Sequence, residues 1–551
     1  MAKGTSMKRV RQTISAVLVG VLAAGPMQGA GAVQPKDAIR HVVIIFQENV
    51  SFDHYFATYP HAVNLPNEPR FVALPGTPTV DGLSGDLLTR NPNSLNPDNG
   101  AGAANPFRLR RDQAATASQR HDYRAEQLAY DHGKLDLFPK AVGAGDGPRI
   151  PGEKAGVPST TGLVMGYYDG NTVTAFWNYA QHYAMSDENF GVEFGPSSLG
   201  AINLVSGQTN GAVNDQNAQG AMVSDGNGGN TLVVDAEPFG DICSSTTGAL
   251  VHMTSRNIGD MLTDAKVTWG FFMGGFDLSV VNANGTTGCR RSAVPLTGVN
   301  KLDYPAHHEP FQYYKSTANP QHVRPRSIAT IGSNDDGAAN HQYDMHDFFD
   351  AVKAGNFPAV SFLKAPAFQD GHAGTSSPLD EQKFVVEVIN FLQQQPDWQH
   401  TAVIIAYDDS DGWYDHALGK IVNGSESRYD ALDDTGKCGS GANALGGVDP
   451  ATTHAQGRCG FGPRLPLLVI SPWAKANYVD HTVTDQTSMM RLIEDVFLGG
   501  KRLGQGSFDA QAGPLNNMFD FSKSKPQNAR KVLLDAETGL IQPVQPAQAG
   551  K

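Results

Sequence analysis

Thr401-Ala402-Val403-Ile404-Ile405-Ala406-Tyr407-Asp408-Asp409 is an apolar, β-branched run that stops on two adjacent carboxylates. Ser410-Asp411-Gly412-Trp413-Tyr414-Asp415-His416 follows at once, so the ten residues 407–416 hold four Asp and one His. The run reads as a buried strand, and open α/β sheets place their chemistry at the carboxyl ends of such strands. Two neighbouring carboxylates repel, and a cation beside them relieves the cost of keeping both ionised. A metal-binding strand end is one reading; a polar turn after a core strand is the other.

A second run near the other end of the chain favours the metal. His41–Phe46 is also apolar, and Gln47, Glu48 and Asn49 follow it. Glu48, Asn49, Asp408 and Asp409 all offer hard oxygen ligands, which suit magnesium, manganese or calcium more than a thiolate-selecting ion. Two strands of one parallel sheet would bring the four side chains to a single edge.

The rest of the chain supports that sheet. Val267–Met273, Ala359–Leu363 and Leu465–Ser471 read as further buried strands. Asp380–Gln395 carries Phe384, Val385, Val388, Ile389 and Leu392 at helical spacing, and Asp485–Leu498 repeats the pattern. Strands alternating with amphipathic helices predict an α/β fold with helices on both faces of a mostly parallel sheet. Long polar excursions (60–116, 207–230 and 425–458) interrupt it without dividing it, because the two acidic strand ends lie far apart in sequence. One catalytic domain, 33–525, is expected, followed by a polar tail at 526–551.

The first 32 residues read as a signal peptide. Lys8, Arg9 and Arg11 precede the apolar stretch Ile14–Gly25, and Ala30-Gly31-Ala32 offers small residues for cleavage. No transmembrane segment is predicted. Cleavage would remove four cations and take the net charge from −13 to −17, which argues against nucleic acid as a standing partner. In an oxidising compartment Cys243, Cys289, Cys438 and Cys459 read as two disulfides. Sequence proximity favours Cys243–Cys289 and Cys438–Cys459, although three pairings are formally possible.

Gly195-Pro196-Ser197-Ser198 breaks the chain before an apolar run from Leu199. Ser197 or Ser198 can cap a helix there, or sit as a nucleophile beside its positive N-terminus. Histidines stand at His121, His132, the pair His307-His308 and His372. Nothing resembles a His-Glu-x-x-His zinc peptidase or a Gly-x-Ser-x-Gly hydrolase elbow. An oxygen nucleophile, a cation to neutralise charge and imidazole donors for phosphoryl oxygens are together what phosphoryl transfer needs.

These motifs resemble a known family. Gln47-Glu48-Asn49-Val50-Ser51-Phe52-Asp53-His54-Tyr55-Phe56 is similar to the opening signature of the bacterial phosphoesterases that include non-specific phospholipases C and AcpA-type acid phosphatases. Met165–Asp169, Phe194–Ser197, His307–Pro310, Gln369–Gly374 and Tyr407–Gly412 resemble it too, in order, over about residues 40–500. The resemblance implies a three-layer α/β/α, alkaline phosphatase-like fold. It implies that Glu48, Asn49, Ser197, Asp408 and Asp409 hold one divalent metal, with Ser197 as nucleophile forming a phosphoserine. His121, His307, His308 and His372 match positions that bind the phosphate; His132 and Asp136 stand in similarly family-like text near His121. Ser197 and the Asp408-Asp409 pair match the acid phosphatase branch, whereas phospholipases C usually carry Thr and Asp-Glu. The expectation is an exported acid phosphatase acting on phosphate ester substrates, its oligomeric state open. A phospholipase C-like phosphodiesterase is the first alternative, and a non-catalytic phosphate- or metal-binding protein of the same fold the second.

Overall fold

A computed structural model describes Met1 and residues 33–144, 160–439, 456–522, 525–526 and 531–543. The expected signal peptide, the middle of the 425–458 excursion and the ends of the expected tail lie outside the described residues.

Eight strands form the central sheet: β1 (His41–Gln47), β2 (Ala184–Ser186), β3 (Trp269–Met273), β4 (Gln342–Asp344), β5 (Val360–Lys364), β6 (Thr401–Tyr407), β7 (Leu467–Ile470) and β8 (Tyr478–Asp480). Their order is β4-β3-β5-β1-β6-β7-β2-β8. Only β7 runs antiparallel to its neighbours, β6 and β2. The five apolar runs of the sequence are thus all strands, and β1 and β6 are adjacent and parallel, with Gln47 level with Tyr407. Their side chains are buried almost throughout, which explains runs rich in Val and Ile without polar alternation.

Five helices matter for the site and its surroundings: α1 (Tyr123–Tyr130), α2 (Ser197–Ser206), α3 (Met345–Lys353), α4 (Pro378–Gln393) and α5 (Thr487–Phe497). Helix α4 starts where its sequence dictates. Ser377 accepts from the Asp380 amide, Asp380 returns the bond to Ser377, and Pro378 fills the first turn, where no N–H is needed. Both disulfides take the pairing of nearest neighbours, Cys243–Cys289 and Cys438–Cys459.

The end of the chain is held more firmly than a polar composition suggests. Gln393 of α4 exchanges two hydrogen bonds with the backbone of Val532 (2.9 and 2.6 Å), and Asn390 does the same with Leu534 (2.7 and 3.1 Å). Leu534 is fully buried. Two amides one helical turn apart therefore dock an extended segment that carries its own apolar anchors.

Candidate active site at the carboxyl ends of β1 and β6

Strands β1 and β6 deliver Glu48-Asn49 and Asp408-Asp409 to the same edge of the sheet. Asn49 takes a left-handed conformation (φ 57°), which Asn tolerates better than most residues, and its amide donates to Asp408 Oδ1 at 3.0 Å. Helix α2 brings Ser197 to them. Ser197 is the first residue of that helix, not its cap: Pro196 holds the cap position, and the hydroxyl turns to the strand ends instead.

The close approach of α2 rests on two glycines. Gly195 sits at φ 123°, a region open to glycine. A Cβ on Gly200 would lie 2.1 Å from the Asp408 carbonyl oxygen, so only glycine lets the helix lie against the end of β6.

Ser197 Oγ lies 3.2 Å from Glu48 Oε2, 3.2 Å from Asn49 Oδ1 and 3.0 Å from Asp409 Oδ2. A hydroxyl has one proton to give, so it satisfies only one of three acceptors. Asp408 Oδ2 is buried with no hydrogen-bond donor. All five residues are at most 3% exposed. Burial pushes Glu48 up to about 7, although Lys364 opposes the rise. Burial, then the mutual repulsion of the carboxylates, holds Asp408 and Asp409 well above the usual carboxylate range. Too many oxygens for the available protons, all hard donors, fit a divalent cation ligated by Glu48, Asn49, Ser197, Asp408 and Asp409.

Four histidines ring this cluster. His121 contacts Asp411 Oδ1 through Nδ1 at 3.0 Å. Burial disfavours its charged form, but Asp409, Asp411 and Asp235 outweigh that and hold it well above its ordinary range. His308 lies 3.2 Å from Glu48 Oε1, and burial with the neighbouring His307, Lys364 and His372 pushes it well down. Burial also lowers His372, whose Nδ1–H donates to the Ala373 carbonyl (2.6 Å) and whose ring lies 5.8 Å from that of His121. His307 packs edge-on against His308, at 4.2 Å between centroids. His132, by contrast, is an exposed partner of Asp131 and takes no part in the site, and Asp136 faces the same Asp131.

Four further groups belong to the site without having been singled out in the sequence. Lys364, the last residue of β5, is 1% exposed and ion-paired to Glu48. The signal was there: β5, β1 and β6 are neighbours, and each ends its apolar run on a polar or charged residue. Asp370 is pushed up to about 7 by burial and has an unpartnered Oδ2. Asp235 accepts from the Ser198 amide at 3.0 Å; despite burial, His307, that amide and His121 hold it below the carboxylate range. Glu126 of α1 accepts from the Gly195 amide (2.8 Å) and from Ser410 Oγ (2.6 Å), and so ties the turn before Ser197 to the Asp408-Asp409 loop. No local pattern could mark Glu126, whose role exists only across α1, α2 and β6.

The profile of the phosphoesterase family matches residues 39–498. The chain belongs to the phosphoesterase family. Non-hemolytic phospholipase C of Pseudomonas aeruginosa is 23% identical over 83% of this chain and 54% of its own length. Phospholipase C A of Mycobacterium tuberculosis is 23% identical over 91% of this chain and 81% of its own. A non-hemolytic phospholipase C of Burkholderia pseudomallei reaches 35% identity, over 26% of this chain and 20% of its own. The chain spans about half the length of the Pseudomonas relatives it matches. Among the described residues no helix is long and apolar enough to cross a membrane.

Proposed function

We propose that this phosphoesterase is an exported, metal-dependent hydrolase of phosphomonoesters that works through Ser197. The observation that carries the reading is the placement of Ser197 Oγ within 3.2 Å of oxygens from Glu48, Asn49 and Asp409, on strand ends far apart in sequence. A bound divalent cation would neutralise the carboxylates and lower the pKa of the serine hydroxyl.

Ser197 Oγ passes its proton to Asp409 Oδ2, the acceptor at 3.0 Å, and attacks phosphorus; an Oγ–P bond forms and the P–O bond to the leaving alcohol breaks. His121, held by Asp411, donates to a phosphoryl oxygen where charge develops. His307 stands as the remaining donor and as the source of the leaving group's proton, while His372, its Nδ1–H held by the Ala373 carbonyl, packs beside His121. Water then hydrolyses the phosphoserine and restores Oγ–H. Glu126 and Lys364 keep the two halves of the site in register. The N-terminal signal pattern and the two disulfides support export.

The choice of a monoester rests on Ser197 and on Asp409 where phospholipases C usually carry Thr and Glu. A phospholipase C-like phosphodiesterase is the second reading, favoured by the names of the matched relatives. The purified enzyme, its metal content measured by elemental analysis, is assayed side by side on p-nitrophenyl phosphate and phosphatidylcholine. Dominant p-nitrophenol release is expected, and exhaustive chelation should abolish it. Strong diacylglycerol release with little monoesterase activity overturns the first reading in favour of the second.

A further inference from the structure

A cavity of about 550 Å³ opens on the same carboxyl edge of the sheet, beside the candidate active site. Gly274 after β3, Asp344 at the end of β4 and Pro366 beyond β5 all line it, so three neighbouring strands supply its floor. Crevices at the carboxyl edge of α/β sheets are where such folds bind ligands. The segment 366–370 separates it from the active site. Pro366, Phe368 and Gln369 face the cavity, while the carbonyls of Gln369 and Asp370 accept from Gln47 Nε2 (3.3 Å) and the Glu48 amide (2.9 Å).

The cavity pairs aromatic walls with a charged floor. Phe349 of α3, Phe384 of α4 and Phe368 line its sides. At the floor Arg291 is ion-paired to Asp303 (2.9 Å) and Asp344 (3.2 Å). Asp303 is 2% exposed; its Oδ2 also accepts from Asn282 Nδ2 at 2.8 Å, but its Oδ1 has no hydrogen-bond partner. A buried acceptor without a donor is costly, so a ligand that brings a donor gains by its presence. Glu387 adds a third carboxyl to the lining, against one guanidinium.

We propose that this cavity binds an organic ammonium ion with an apolar body. The ammonium donates to Asp303 Oδ1 and meets the excess of carboxyls, while the apolar part packs between Phe349, Phe368 and Phe384. The same carboxyls repel an anionic amphiphile, and a neutral alcohol supplies a donor without the charge. The bound ligand would touch the backbone segment that supports Glu48 from behind.

Calorimetric titration of the full chain with n-octylammonium chloride, octan-1-ol and sodium octanoate, all below their micelle concentrations, tests this. One saturable site for octylammonium is expected, with octanol at least about tenfold weaker and no binding of octanoate. Ala293→Trp fills the cavity and should abolish binding; Val294→Trp, at the exposed rim, serves should the first variant fail to fold. Failure of octylammonium to bind, equal binding of octanoate, or binding undiminished in a folded cavity-filling variant overturns the proposal. The titration reads binding and no substituted residue touches Ser197, so the outcome is separate from that of the phosphomonoesterase reading.

Discussion

Residues 48–49 and 408–409 form one acidic cluster, and residues 53 and 415–416, a few positions further along the same two loops, form another. Both join the ends of β1 and β6, and both are buried. In the second, Arg464 closes the charge balance. Its Nη2 lies 3.1 Å from Asp53 Oδ1 and 3.1 Å from Asp415 Oδ1, and His416 Nδ1 lies 2.6 Å from Asp53 Oδ2. Burial would raise Asp53, but His416 and Arg464 outweigh it and keep it below the carboxylate range. In the first cluster Lys364 is paired to Glu48 and His121 opposes Asp409, yet burial still holds Asp408 and Asp409 well above the carboxylate range. The difference separates a staple from a candidate site: Arg464 and His416 lock two loops together through Asp53 and Asp415, whereas Lys364 is ion-paired to Glu48 and leaves Asp408 and Asp409 as oxygens that fit a further cation. The Asp53, Asp415 and His416 ligand-type atoms lie close enough to suggest a metal, yet Arg464 already fills that role.

The sharpest way to break the comparison is at Ser197, the proposed nucleophile. Ser197→Ala should cost at least about a thousandfold in kcat on p-nitrophenyl phosphate, with the circular dichroism spectrum unchanged. Substantial residual turnover would remove Ser197 from the mechanism and leave the open cluster as mere metal storage.

At the closed cluster the effect should fall on stability. Arg464→Met strands Asp53 and Asp415 as buried, uncompensated charges and should destabilise the fold by about 3–5 kcal/mol in chemical denaturation. A loss under about 1 kcal/mol would mean that Arg464 is not what closes this cluster.

The open cluster should respond with the opposite sign. Asp408→Asn removes one of the repelling carboxylates, so the metal-free protein should gain about 1–3 kcal/mol while divalent-metal affinity, measured by calorimetry, falls. Destabilisation of the metal-free form would show that its acids are already satisfied without a cation.

The smallest effect is a pH slope. Burial opposes the charge on His416, but Asp53 and Asp415 outweigh it and raise its pKa from 6.5 to about 9. A group whose folded pKa is raised binds more protons when folded, so its stabilisation is complete below about 6.5 and is lost as pH climbs through about 9. His416→Asn should therefore remove a decline in unfolding free energy between those values that the parent protein shows. Parallel profiles for the two proteins would detach His416 from the staple.

Much of this was legible in one dimension. The runs 41–46 and 401–407 are apolar over their full length, and only a strand buried on both faces accommodates that, so the sheet and its acidic strand ends could be read locally. The Ser197 turn was readable as a helix start, but not the side-chain direction: a serine there caps a helix as readily as it faces a neighbour, and contact with Glu48, Asn49 and Asp409 decided it. Glu126 and Asp235 were invisible because their partners, Gly195, Ser410 and Ser198, are contributed by other elements.

The sequence by itself determined which strands exist, which ligand types end them and where the chain can turn, because burial periodicity and backbone preference act over a few residues. Tertiary structure alone decided which of two acidic clusters remains open. That depends on how far cations from elsewhere in the chain offset the acids: Arg464 reaches Asp53 across more than four hundred residues and pairs with Asp415 too, whereas Lys364 pairs with Glu48 and, among the described residues, no arginine is ion-paired to Asp408 or Asp409.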